Sequence, residues 1–344
     1  MPRLLPILLL AGLLGACAAP GGAPPGSPGA PWRSEEGRDH PLAGKIWMPG
    51  EGRFVTPEAL LAALGEARFA VLGEVHDNWD HHRIQAWLTA RLMAGDRAPA
   101  LAFEMITTAE KAALDAYLAT HPRDAAGLGP AVKWTARGWP DWAMYAPIAQ
   151  AALDAGAPIV GADMSRPRVR AIIKEGVAAL GAARVRALGL DKPLPRALAQ
   201  RLRWEIVESH CDQLPASMID PMATAMGARD AYMADAVRAA ARLPGRDGAI
   251  LITGAGHARA DHGVPYRLGI LAPEGRALGL AMVEVDPDET DPGANAARFN
   301  APTLPYDYVW FTPRAARAEP CERFADQLRR AKERHLRERE KSDD

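Results

Sequence analysis

The chain has no excess of either charge: 42 acidic residues stand against 41 basic ones, for a net charge of −1. Nothing in that balance draws it to nucleic acid or to an acidic lipid surface. Aromatic residues make up only 6% of it and cysteines number three, which excludes a disulfide-dense scaffold. No apolar run approaches the about 20 residues that span a bilayer, and no internal repeat marks a solenoid or propeller. What is present, 344 residues that are 48% apolar and 24% charged, is the composition of a globular protein with room for a substantial core.

The N-terminus carries a specific signal. Arg3 is followed by an uncharged, leucine-rich stretch over 4–14, too short to span and suited to the apolar core of an export signal. Leu14-Gly15-Ala16-Cys17 then has the form of a bacterial lipobox. This predicts a lipoprotein signal peptide over 1–16 and lipid attachment at Cys17. The stretch 18–31 is almost all Ala, Gly, Pro and Ser, a composition that buries little apolar area, so residues 17–40 are read as a flexible tether. In an oxidising compartment Cys211 and Cys321 either pair or stay as two thiols, and the sequence leaves both open.

Short β-rich runs alternate with amphipathic segments, which predicts an α/β fold: a mostly parallel sheet flanked by helices, over 41–315. Strands are read at 45–48, 69–72, 101–103, 159–161, 250–253, 280–285 and 308–311. Thr56-Pro57 is a helix start, a capping hydroxyl followed by proline at the first helical position. Ile84, Trp87, Leu88 and Leu92 recur at helical steps behind the second strand. Strand signals vanish over about 167–246, where Ala, Leu, Arg and Met dominate, so an inserted helical subdomain is expected there. The last stretch, 316–344, reads as a charged, solvated helix.

The residues that carry chemistry cluster at strand ends. Leu72-Gly73-Glu74-Val75-His76 and Thr253-Gly254-Ala255-Gly256-His257 each place a histidine three positions after a glycine. The glycine is read as the point where the backbone turns and frees the imidazole. A third strand delivers Glu104 behind Phe103. Ligands of open α/β sheets bind outside the carboxyl ends of the strands, so Glu74, His76, Glu104 and His257 are candidate catalytic residues. Of these, His76, His257 and Glu104 are also candidate ligands for a divalent metal. His81 and His82 are assigned surface or packing roles. Trp134, Trp139, Trp142 and Tyr145 form an aromatic cluster that either lines a planar apolar ligand or fills core. Arg229 and Asp230 are read as a structural pair. His210 and Tyr232 are candidate axial haem ligands, because imidazole and phenolate both bind haem iron.

Taken together these motifs resemble the ChaN-like haem-binding uptake proteins of the Tiki and erythromycin-esterase superfamily. The matching stretches are LGEVHDNWDHHRIQAWL from Leu72, FEM from Phe103, GADMSRPRVR from Gly161, SHCDQLP from Ser209, RDAYMA from Arg229 and TGAGHARADHGVP from Thr253. The resemblance implies an α/β domain with a helical subdomain on an outer-membrane lipoprotein facing the periplasm. It further implies haem as cofactor, a homodimer burying stacked haems, and an outer-membrane haem receptor or uptake machinery as partner. Relatives of this fold also hydrolyse peptides or esters, so a metal-dependent hydrolase is the alternative.

Overall fold

The structure, a computed structural model, describes residues 26–318 and, beyond them, 321, 322, 324–326, 329, 330 and 333. The expected signal peptide and Cys17 lie outside the described residues, as does much of the expected C-terminal helix over 316–344, of which 316–318 are not helical while the described residues from 321 on are.

In chain order the elements are β1 (Ile46–Met48), β2 (Arg53–Val55), α1 (Pro57–Glu66), β3 (Phe69–Glu74), α2 (Trp79–Met93) and β4 (Pro99–Thr107). Then follow α3 (Lys111–Thr120), α4 (Leu128–Ala131), α5 (Trp142–Asp154), β5 (Ile159–Asp163), α6 (Arg166–Glu175), α7 (Ala182–Ala187), α8 (Arg196–Ser209) and α9 (Ala216–Ala240). The chain closes with β6 (Gly248–Gly254), α10 (Val264–Leu271), β7 (Ala277–Glu284) and β8 (Tyr308–Thr312). All eight strands join one sheet in the order β2-β1-β8-β7-β3-β6-β4-β5. The run from β8 to β5 is parallel, and β1 and β2 add antiparallel at one edge.

The central strands are buried on both sides, so neighbouring residues serve opposite faces. Leu72, Leu101 and Ile250 pack beneath α1, α2 and α5 with Leu60, Leu88 and Ile148. Val71, Ala102 and Leu251 pack beneath α9 and α10 with Met233, Val237 and Leu268. Alanines on that second face let α9 lie close to the sheet. Thr56 caps α1 by accepting from the Ala59 N–H at 3.2 Å, as its sequence position predicts.

Strand registers decide where the site forms. β3 lies parallel to β6 with Gly73 opposite Thr253 and Glu74 opposite Gly254. The two glycine-x-x-histidine elements therefore leave adjacent strands at one level. β4 flanks β6 on its other side with Phe103 opposite Ile252, which sets Glu104 beside Thr253.

Two expectations are corrected. β2 was not foreseen, because Arg53 and Phe54 are exposed and a half-wet edge strand leaves no apolar run. Nor are residues 17–40 a tether throughout. Asp80, buried at the start of α2, accepts the backbone N–H groups of Arg33 and Ser34 at 2.9 and 2.8 Å. The Arg33 guanidinium also lies 3.8 Å over the Trp79 ring. A buried carboxylate needs donors, and this segment supplies them.

Candidate functional site

The strand ends build a crevice from residues distant in sequence. His76 follows β3, and its Nδ1 meets Glu74 Oε1 at 2.6 Å. The Glu74 carboxylate is also approached by the Tyr145 hydroxyl at 3.4 Å. Behind His76 its carbonyl takes up His82 Nε2 at 3.1 Å, while His82 Nδ1 meets Gln85. His81 accepts the Val75 N–H at 2.9 Å and its Nε2 meets Thr312 at 2.7 Å. Both histidines of this pair are fully buried, so they are packing residues that fix the loop and neither is surface. Asn78 caps α2 through the N–H groups of Asp80 and His81.

On the other side of the crevice Glu104 is held from every direction. Its Oε2 accepts Thr253 Oγ1 at 2.7 Å and the Gly254 N–H at 2.8 Å, and its Oε1 accepts Arg229 Nη2 at 2.7 Å. Arg229, from α9, also bonds Asp163 at the end of β5 at 2.8 Å. His257 places Nε2 at 3.3 Å from Glu104 Oε1 and Nδ1 at 2.6 Å from Asp230 Oδ1. Arg229 and Asp230 therefore do not pair with each other: successive helical residues point apart, and each serves a different strand-end group. Asp163 was not singled out in the sequence, although an acidic residue closing a buried strand was the available signal.

A Cβ placed on Gly254 would sit 3.4 Å from both Cε1 and Nε2 of His76 and 3.8 Å from Glu104 Oε2. These are ordinary contacts, so His76 and Glu104 border the same space over Gly254, and Glu74, His76, Glu104 and His257 come together as the sequence suggested. His76 Nδ1 is taken by Glu74, and no protein group bonds Nε2 among the described residues. The ring retains 38% of its side-chain surface.

The charge states follow from these contacts. Burial opposes the charge of His76, but Glu74 overcomes it and lifts the pKa to about 9. Burial likewise opposes His257, and Glu104 with Asp230 raises it to about 10. Glu104, which burial alone would raise, is held well below the carboxylate range by His257 and Arg229. Burial, with Glu74 adding to it, pushes the Tyr145 hydroxyl up, so it stays protonated.

The expected divalent-metal centre of His76, His257 and Glu104 is not assembled. Among the described residues no group of three or more His, Cys, Asp or Glu is arranged to hold a metal ion. Both ring nitrogens of His257 face carboxylates, and Glu104 is committed to Arg229. The candidate haem ligands lie on the helical insert, His210 after α8 and Tyr232 within α9. His210 ends α8, where Nδ1 meets the Ile206 carbonyl at 2.7 Å and the ring lies edge-on to Phe324. Tyr232 packs against the cluster of Met164, Ile172, Ala225 and Ala228, with the Arg184 guanidinium 5.1 Å over its ring. Neither hydrogen-bonds to any of the four strand-end residues. Cys211 and Cys321 do pair, joining the turn after α8 to the C-terminal segment.

The aromatic cluster divides between core and wall. Trp134, Trp142 and Tyr145 are buried, whereas Trp139 meets His76 edge-on at 5.1 Å and faces a pocket of about 460 Å³. Met164 and Val169 line the same pocket, with Arg166, Arg170 and Arg229 supplying cationic groups. The size falls within the usual range for small-molecule sites, about 300–1,000 Å³. Glu104, Glu110 and Asp163 also line the pocket and pair with Arg229 and Arg137, so among the described residues Arg166 and Arg170 are its cations without a carboxylate partner, and His76 borders it through Trp139.

Residues 60–268 match the family described as haem-binding uptake, Tiki superfamily, ChaN. Among solved structures, ChaN of Campylobacter jejuni, described with cofacial haem, is 20% identical with a TM-score of 0.58, covering 77% of this chain and 95% of its own. An erythromycin esterase, EreC, is 13% identical with a TM-score of 0.41, covering 85% of this chain and 99% of its own. No curated protein matches.

Proposed function

Because the chain belongs to the ChaN family of haem-binding uptake proteins in the Tiki superfamily, we propose that it binds haem in the crevice at the carboxyl edge of its sheet. The observation that carries this reading is His76: its Nδ1 is fixed by Glu74 at 2.6 Å while Nε2 borders the space over Gly254 on a partly exposed ring. A carboxylate behind an imidazole sets its orientation and raises its basicity as a ligand. Trp139 would lie along the porphyrin face, and Arg166 and Arg170 at the rim would meet its propionates, as guanidinium groups meet carboxylates elsewhere. Bound haem would supply a redox-active iron, and His76 Nε2 would hold it after giving up the proton that its raised pKa keeps on the ring at neutral pH.

The rest of the reading concerns where and with what the chain works. Lipid attachment at Cys17 would hold the domain at the outer membrane, facing the periplasm, where haem iron passes to or from an uptake receptor. Two copies would meet with their haems face to face, as the cofacial haem of the Campylobacter relative suggests.

Titration of hemin into the purified protein tests the central claim. A saturable Soret shift is expected, and His76→Ala should weaken binding at least tenfold or alter the band. No saturable shift would dismiss haem binding, and an unchanged His76→Ala titration would move the haem out of this crevice. Sedimentation with and without hemin tests pairing, where a monomer at every hemin ratio would remove the stacked arrangement. Membrane fractionation of Cys17→Ala, expected to be soluble, tests the anchor.

A further inference from the structure

α9 separates the crevice from a second pocket on its far side. Asp220, Ala223, Thr224 and Gly227 recur at three- and four-residue steps along that helix and line it. The pocket measures about 310 Å³, and its other walls come from Val177, Leu190, Leu194 and Leu202. Its lining is thus aliphatic on most sides, and the smallness of Ala223 and Gly227 creates the hollow.

The floor is different. Arg267, from α10, is only 5% exposed and lines the pocket. Its Nη2 would lie 3.2 Å from a Cβ on Gly227, so the guanidinium reaches the base of the hollow. Among the described residues it donates no hydrogen bond and joins no ion pair, and its Nε is buried without a partner. The Tyr266 ring lies 5.8 Å below it. The carboxylate that bears on it, Asp230, gives Oδ1 to His257 and keeps Oδ2 buried without a hydrogen bond, so it makes no ion pair with Arg267. A buried guanidinium without a hydrogen-bonded anion is costly, and burial, only partly offset by the Asp230 charge, depresses its pKa below the ordinary value. At the mouth Arg203 and Asp220 pair with each other at 3.1 Å and Lys192 is exposed to solvent, which leaves Arg267 as the buried charge of the lining.

We infer that this pocket is a second ligand site, taking a small aliphatic monocarboxylate whose head pairs with Arg267 and whose chain lies along Leu190, Leu194 and Leu202. A carboxylate matches the planar fork of a guanidinium with two parallel hydrogen bonds, and the aliphatic walls would bury its tail. Nothing in this assignment depends on haem, and the two pockets lie on opposite faces of α9.

Calorimetric titration with decanoate tests it, with decanol and decyltrimethylammonium as controls. Saturable binding of decanoate at one equivalent is expected, with both controls at least tenfold weaker. Arg267→Met should reduce decanoate affinity at least tenfold while leaving the hemin titration unchanged. Thr224→Trp, at the exposed rim, should block the site without touching the core, and it reads the same claim if Arg267→Met fails to fold. The inference is overturned if decanol binds as well as decanoate, if no saturable binding occurs, if Thr224→Trp binds decanoate normally, or if one equivalent of hemin displaces it.

Discussion

At the scale of single residues, Arg229 is the group on which the crevice depends. It is shared between Glu104 and Asp163, and deleting its charge would leave two buried carboxylates facing each other. Loss of one partner from a buried ion pair typically costs about 3–5 kcal/mol, so Arg229→Met should lower the urea midpoint by a corresponding amount. His257 sets a pH dependence of definite sign. Its folded pKa, about 10, lies above the ordinary value of 6.5, so its contribution is complete below that ordinary value and is lost as pH rises through about 10. The melting temperature should fall between pH 7 and pH 10.5, and His257→Gln should flatten that decline; an equally steep fall in the variant would refute it. Gly73 shows how closely the strand end is packed, since a Cβ there would meet Ala258 Cβ at 2.6 Å and Ala255 Cα at 2.9 Å. Gly73→Ala should destabilise the fold by about 1–3 kcal/mol, the usual cost of overpacking, as measured by denaturant unfolding.

Elements were legible in the sequence where one physical signal governed them. The parallel strands are apolar runs buried on both faces, and the two glycine-x-x-histidine motifs lie at their ends because β3 and β6 pair in register. The role of the glycines was misread: neither Gly73 nor Gly254 adopts a left-handed backbone. Gly73 is needed for space beside Ala258 and Ala255, whereas a Cβ on Gly254 would make only ordinary contacts. Pairings across the sheet and insert were not legible, because Arg229 reaches Glu104 over 125 positions and Asp163 over 66. No local pattern encodes such a separation. The capping of α2 belongs to this scale as well. Asn78 accepts from Asp80 and His81 and donates to Glu284 at 2.8 Å. Asn78→Ala should therefore cost more than the about 1 kcal/mol of an ordinary cap, which thermal unfolding would read.

For the whole molecule, the disulfide between Cys211 and Cys321 is a covalent constraint across a sequence separation of 110. Long closed loops restrict the unfolded chain most, and removing such a bond typically costs about 2–4 kcal/mol. A variant with both cysteines changed to serine should unfold at correspondingly lower urea; an unchanged midpoint would mean that the bond adds nothing to the fold. The covalent ring so formed encloses the second histidine motif together with β6, β7 and β8. A single proteolytic cut anywhere in that ring would release no fragment, and the nicked protein would run as one band on a gel until a reductant split it in two.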